Sequence, residues 1–402
     1  MKLGRLSARL ASEKSEKAQN YMVFVSIALV ALGATLTIVM TSSIHFDPIS
    51  DFYPQLDLNS VEATSKAATK DNDSATVIIN EQDSSNRSYA NSVFGIKLDY
   101  PTVWSAFELN SRFRDNVTFA VALLRAPFDN ASDKYAERVN INTQVFDSKN
   151  VTLDSYTNAI LNSYANTSGV KIIESSNTTL AGQPAHKVVL ADDRVDPLKL
   201  KKIQVWSVIN NSKAYVVTFG SEESEYQNYL PQFQDILDSL KITGSSDNPE
   251  EVKELSFDDA DYGINLQYPS SWAKIQLAKL PRANADLIVA FLHQENRNAS
   301  MSRIGVATQQ LISPEVKLEQ YTTNQLEAIQ RENATGIQDE QTKIADNQAH
   351  SAVFNLNGTK VMQIWTLKGD KAYLFTYQAS PDDYPKELAT FKKMANSLEF
   401  KE

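Results

Sequence analysis

Hydrophobic positions follow three different patterns along the chain. From Tyr21 to Met40 (YMVFVSIALVALGATLTIVM) they are almost continuous, with no Asp, Glu, Lys or Arg in 20 residues. A helix of that length spans roughly 30 Å, the thickness of a bilayer's hydrocarbon core, so the run predicts a transmembrane helix. Beyond residue 88 the pattern changes. Alternation of apolar and polar positions predicts strands over 94–100, 118–125, 138–146, 185–192, 201–210 and 213–220. Helical spacing links Leu153, Tyr156, Ile160, Leu161 and Tyr164, and again Leu230, Phe233, Ile236, Leu237 and Leu240. Asn210 and Asn211 separate two strand runs and predict a hairpin turn. Residues 41–88 show little apolar periodicity and read as a polar, disordered stalk. Residues 244–254 (GSSDNPEEVKE) read as a linker.

The strand-rich region is written twice. Residues 94–104, FGIKLDYPTVW, match 262–272, YGINLQYPSSW, at 6 of 11 positions. Ile203-Gln-Val-Trp-Ser matches Met362-Gln-Ile-Trp-Thr, and Lys213-Ala-Tyr-Val-Val-Thr-Phe matches Lys371-Ala-Tyr-Leu-Phe-Thr-Tyr. All four tryptophans pair across the copies, Trp104 with Trp272 and Trp206 with Trp365, which favours core packing over a ligand pocket. Helices equivalent to those of the first copy are expected over 317–332 and 384–398. The pattern predicts an α+β chain of two tandem antiparallel-sheet sandwiches, 89–243 and 255–402, each with flanking helices. They follow a tail (1–20), one N-terminal transmembrane helix (21–40) and the stalk.

Charge orients this arrangement. Lys2, Arg5, Arg9, Lys14 and Lys17 outweigh Glu13 and Glu16 before the apolar run, while Asp47 and Asp51 follow it. The positive-inside rule then puts the N-terminus in the cytoplasm and the repeats outside a cell membrane. A cleaved signal peptide is the alternative, with Thr41 and Ser43 as its small residues, although the run is longer than such a region needs. Eleven Asn-x-Ser/Thr sequons fall on the outer side: Asn72, Asn86, Asn116, Asn130, Asn150, Asn166, Asn177, Asn210, Asn298, Asn333 and Asn357. Each is a candidate glycosylation site. Many sequons without cysteine fit an archaeal cell surface better than an animal ectodomain.

Composition removes several chemistries. With no cysteine there are no disulfides, thiolate metal sites or cysteine nucleophiles. No two of the 12 glycines lie close enough for a phosphate loop or a dinucleotide fingerprint. The net charge of −10 resides largely in the stalk and linker, and the repeats carry no basic stripe, so nucleic acid is not an expected partner. No Gly-x-Ser-x-Gly or His-Glu-x-x-His motif occurs.

What remains are weak metal candidates. His186 and His350 occupy matching strand positions, and Asp258, Asp259 and Asp261 precede the second Tyr-Pro-x-x-Trp strand. Hard cations take oxygen ligands, but the EF-hand spacing is absent, and a solvated acidic turn and structural histidines are the favoured readings of these residues. Lys199, Lys201 and Lys202 read as protection for a sheet edge.

A strand ending in Tyr-Pro-x-x-Trp, a mid-domain helix, a Gln-x-Trp hairpin and a terminal amphipathic helix resemble the PsbP-like family. The residues that carry this are Gly95, Tyr100, Pro101 and Trp104, with Gly263, Tyr268, Pro269 and Trp272. The resemblance covers both repeats and implies a central antiparallel sheet with helices, on a scaffold that binds partners rather than catalysing. The resulting expectation is a non-catalytic, membrane-anchored, extracytoplasmic binding or assembly module that holds a partner protein and uses no cofactor. A protein binding a small ligand or a metal in a groove between the repeats is the first alternative. An extracytoplasmic hydrolase without a visible motif is the second.

Overall fold

The structure is a computed structural model and describes residues 86–112, 118–127, 135–146, 150–194, 198–243, 254–278, 285–293 and 302–401. The tail, the apolar run 21–40, nearly all of the expected stalk and most of the linker lie outside the described residues. Among the described residues no helix is long and apolar enough to cross a membrane.

One element order runs twice. The first copy comprises β1 (Asn86–Asn91), β2 (Ile96–Pro101), β3 (Ser105–Arg112), β4 (Thr118–Arg125), β5 (Arg138–Val145), α1 (Leu153–Ala165) and β6 (Val170–Leu180). It continues with β7 (Gln183–Asp192), β8 (Leu200–Ile209), β9 (Lys213–Glu222), α2 (Tyr226–Ser239) and β10 (Lys241–Ile242). The second comprises β11 (Glu254–Asp259), β12 (Ile264–Pro269), β13 (Trp272–Gln276), β14 (Ala285–His293), β15 (Arg303–Gln310), α3 (Leu318–Arg331) and β16 (Thr335–Ile344). It closes with β17 (Asn347–Leu356), β18 (Thr359–Lys368), β19 (Lys371–Ala379), α4 (Tyr384–Asn396) and β20 (Glu399–Phe400).

In each copy seven antiparallel strands form the main sheet, β3-β4-β5-β9-β8-β7-β6 and β13-β14-β15-β19-β18-β17-β16. A small sheet of three strands, β1-β2-β10 or β11-β12-β20, accompanies it. Strand alternation sends neighbouring side chains to opposite faces. Ile203 and Val205 of β8 join the core shared with α2 and the small sheet. Trp206, the next residue after Val205, points to the other face and packs with α1 in a separate cluster with Val188, Leu190 and Val216. The indole Nε1 donates to Thr157 at 2.9 Å, and Trp365 repeats this bond to Thr322 in the second copy. All four tryptophans are fully buried.

Turn chemistry explains the motif glycines. Asn91 Oδ1 accepts the backbone N–H groups of Val93 and Phe94, and the chain leaves this Asx turn through Gly95 at φ 62°. Asp259 Oδ1 does the same for Asp261 and Tyr262, ahead of Gly263 at φ 62°. A side chain at φ near +60° is strained, which is why both copies keep glycine. Asn210 and Asn211 both adopt positive φ, 52° and 54°, and make the β8–β9 hairpin turn that suits right-twisted strands.

Three features depart from the sequence reading. β1 begins at Asn86, inside the stretch expected to be stalk. β3 and β6 were not legible as strands: β6 is the sheet's outer edge and is mostly exposed, so its sequence (VKIIESSNTTL) needs little apolar alternation. Lys199–Lys202 do not guard an edge, because β8 lies between β7 and β9. Lys202 is instead buried and bonds Asp192 at 2.5 Å, while Arg194 holds the same carboxylate at 2.7 Å. Burial alone would raise the Asp192 pKa, but Arg194 and Lys202 outweigh it and hold the carboxyl far below its ordinary value of 3.8. Burial pushes the Lys202 ammonium down to about 8 against the pull of Asp192.

Two outcomes follow. Replacing Asp192 by Asn leaves two cations crowded without their anion and lowers stability at pH 7 by about 3 kcal/mol. A carboxylate with a depressed folded pKa stabilises above its unfolded pKa and loses that contribution as pH falls toward the folded value. The gap in melting temperature between wild type and Asp192→Asn should therefore be full near neutrality and shrink below about pH 4. At the start of α1, Thr152 and Ser155 form a reciprocal capping box, whereas Lys317 before α3 makes no side-chain cap. Thr152→Ala should cost about 1 kcal/mol in a denaturant titration.

Candidate functional site

The two main sheets are joined edge to edge. β3 pairs antiparallel with β13 through Phe107–Ile275 and Ala106–Gln276, giving one sheet of 14 strands. With the repeats aligned on their tryptophans, Phe107 and Ile275 are equivalent positions. A pseudo-two-fold axis therefore passes between them, and every other contact at this seam can be compared with its rotated counterpart.

Backbone pairing at the seam is short, and side chains supply the rest. Arg87 reaches from β1 into the second repeat with 5% of its surface exposed. It donates to the carbonyls of Leu277 at 2.9 Å and Ile288 at 3.3 Å, and to Asp259 Oδ2 at 3.2 Å. Burial works to lower its pKa, but Tyr100 and Asp259 oppose this and the guanidinium ends above its ordinary value. Lys274 reaches the other way. Its Nζ donates to the Ala90 carbonyl at 3.1 Å and stands 3.5 Å from Glu108. It also lies 4.9 Å from the Tyr89 ring centre, with the rings of Tyr268 and Phe257 at 5.6 and 5.9 Å. Burial lowers the Lys274 pKa, and Glu108 pulls it back. Tyr268 donates to both Glu108 oxygens, at 3.2 and 2.9 Å. Burial and then the Glu108 charge push that phenol well above 10, so it stays a donor.

Above this network a groove opens. β1 and β11 are edge strands of the two small sheets and flank the seam, leaving a cavity of about 310 Å³ between them. Lys274 and Gln276 form part of its lining. The first repeat contributes Asn86, Arg87, Ser88 and Lys97, and the second contributes Ser256, Asp258, Asp259 and Asp261. The first repeat's wall thus carries the cations Arg87 and Lys97 and no carboxylate, while the second repeat's wall carries three carboxylates with Lys401 among them. Lys401, which follows β20, belongs to the second repeat's wall itself and bonds Asp258 there. Lys97 and Asp261 are exposed at the rim. The arrangement suits a polar ligand with separated charges, or a polar peptide segment.

The residues singled out from sequence are dispersed. Asp258, Asp259 and Asp261 line the groove, but Asp258 faces Lys401, and Asp259 is divided between its turn and Arg87. His186 is far from them in the fold, on β7: its ring lies 5.3 Å from the Trp206 ring and bonds Ser175 and Asn177. Burial lowers its pKa. His350 stacks on Trp365 at 5.5 Å and bonds Asp339 at 2.8 Å. Among the described residues no group of three or more His, Asp or Glu is arranged to hold a metal. Of the sequons, Asn86, Asn150, Asn166, Asn177, Asn210, Asn333 and Asn357 are described and exposed; Asn72, Asn116, Asn130 and Asn298 lie outside the described residues. Sequence reading missed Arg87, Glu108 and Lys274. Their one signal is that each differs in charge from its counterpart in the other repeat, Leu255, Gln276 and Ala106.

No protein-family model and no curated protein matches the chain. Solved structures similar to it include cyanobacterial PsbP from Synechocystis, 13% identical, covering 37% of this chain and 93% of that one at a TM-score of 0.30. LpqN of Mycobacterium tuberculosis, described as involved in cell envelope biogenesis, is 13% identical over 40% of this chain and 91% of its own, at 0.29. The immunity protein TplEi of the Pseudomonas aeruginosa T6SS is 7% identical over 80% of this chain and 99% of its own, at 0.29. Likenesses of this size carry no argument about function, and the chemistry of the groove rests on its own residues.

The seam network generates a sharp expectation. Glu108→Ala leaves the Lys274 ammonium buried without its carboxylate and Tyr268 without its acceptor. The loss should be about 3–5 kcal/mol, read as a lowered denaturation midpoint.

Proposed function

We propose that the chain is a non-catalytic, membrane-anchored, extracytoplasmic binding module that holds a partner protein near the cell surface. The observation that carries this is the groove over the seam, whose two walls come from different repeats and bear opposite charge. Two buried ion pairs between the repeats hold the wall spacing, so the groove is preformed and binding costs little in ordering it. The ionisable groups beneath it support binding over catalysis. Arg87 and Asp259 are bonded to each other, and Lys274 and Glu108 stand in a second pair with Tyr268, which leaves them engaged in holding the repeats together. The anchor and outward orientation rest on the apolar run 21–40 and the charges before it. Exposed sequon asparagines fit an outward-facing surface, with Asn86 at the groove itself.

Cross-linking of the full-length protein in its native membranes, followed by mass spectrometry, tests this. A stoichiometric partner cross-linked through Lys97 or Lys401 is expected. Reversing the rim charges (Lys97→Glu, Asp261→Lys) should weaken capture about tenfold each, equivalent to about 1.4 kcal/mol. Capture that is unaffected by both reversals, or cross-links confined to other faces, would sink the groove as the docking site.

A further inference from the structure

We infer that the seam is a heterotypic interface: each repeat's seam edge is built to accept the other repeat and to reject a second copy of itself. The pseudo-two-fold axis supplies the argument. Pairing equivalent edges about such an axis is the geometry of a symmetric dimer, in which position i of one partner faces position j of the other and j faces i. Here Phe107 and Ile275 sit on the axis, position 87 faces 259, and 108 faces 274. In repeat equivalents, Arg87 corresponds to Leu255, Asn91 to Asp259, Ala106 to Lys274 and Glu108 to Gln276.

A first repeat paired with another first repeat would place Arg87 opposite Asn91 and Glu108 opposite Ala106. Two second repeats would place Asp259 opposite Leu255 and Lys274 opposite Gln276. Each homotypic seam would bury charges that have lost their partners, twice over, because the symmetry repeats the fault. Only the mixed pair brings Arg87 to Asp259 and Glu108 to Lys274. All four groups are at most 7% exposed, so the penalty for the wrong pair is not screened by water. Paired charges that select a partner and penalise self-pairing are a recurrent route to specificity. The consequence for the groove is direct: homotypic association would give it two like walls, whereas this seam guarantees one cationic and one acidic wall.

The inference stands independently of the partner proposed above. A protease site placed within residues 244–253 of the full chain allows the link between the repeats to be cut in the folded protein. Native mass spectrometry of the cut chain should show one amino-terminal half bound to one carboxy-terminal half. Separate halves, or complexes of two identical halves, would overturn the inference. A second measurement needs no cutting. Glu108→Gln and Lys274→Met should each lower the melting temperature of the full chain by several degrees, and the double variant should recover much of that loss. Losses that simply add would show that the two charges are not read against each other, and the inference would fail.

Discussion

Arg87 and Lys274 are the interactions on which the rest of the molecule depends. Two backbone register pairs join the two seven-stranded sheets, and an apolar cluster of Phe107, Leu123, Ile275, Ala290 and Leu292 packs across them. The two cations fix that relation, because each crosses the seam in the opposite direction and is buried against an anion of the other repeat. Withdrawing a cation from water is expensive, and the seam repays it only with the repeats in place: Arg87 then has two carbonyls and a carboxylate, and Lys274 a carbonyl, a carboxylate and the Tyr89 ring of the first repeat. Separating the repeats strands these charges, and a small displacement already lengthens several bonds at once. The 14-stranded sheet is therefore held by the side chains beneath the groove more than by the strand pairing that defines it.

The same network determines what the surface can do. Strands β1 and β11 carry their buried residues inward and their small or polar ones outward, which leaves the groove lined by Ser88, Ala90, Ser256 and Asp258 on alternate positions. Arg87 pairs with Asp259 at the floor, and Lys401 pairs with Asp258. Lys97 and Asp261 stay at the rim with their charges exposed. Fixed opposite charges on facing walls give orientation to whatever lies between them, and they do so without any further ordering of the protein.

Much of the architecture was legible in the chain. The Tyr-Pro-x-x-Trp strands, the paired tryptophans and the helical spacings of α1 and α2 all report burial, and burial writes a periodic pattern. The elements that were missed bury little or bury it irregularly. β3 carries Glu108, a polar residue where alternation would lead one to seek a core position, and β6 is an exposed edge. β1 was hidden in an Asn- and Ser-rich stretch, where Arg87 looked like one more stalk charge. The groove was foreseen only as a space between repeats. Its chemistry lies in the positions where the copies disagree, whereas repeats are recognised by the positions where they agree.

The exchange of Asn91 for Asp259 shows how small such a disagreement can be. Both residues close the same turn, each with Oδ1 accepting two backbone N–H groups. The turn requires one oxygen and is indifferent to the other terminal atom. In Asn91 that atom is a nitrogen and can only donate; its bond goes to the Tyr89 hydroxyl at 3.4 Å. In Asp259 it is an oxygen bearing charge, and it takes Arg87. One atom thus converts a local turn residue into half of the lock between the repeats, while the turn and the following glycine are unchanged. Duplicated folds can acquire a directional interface by this route without altering a single backbone element, since the selecting atoms sit on groups that the fold already holds in place.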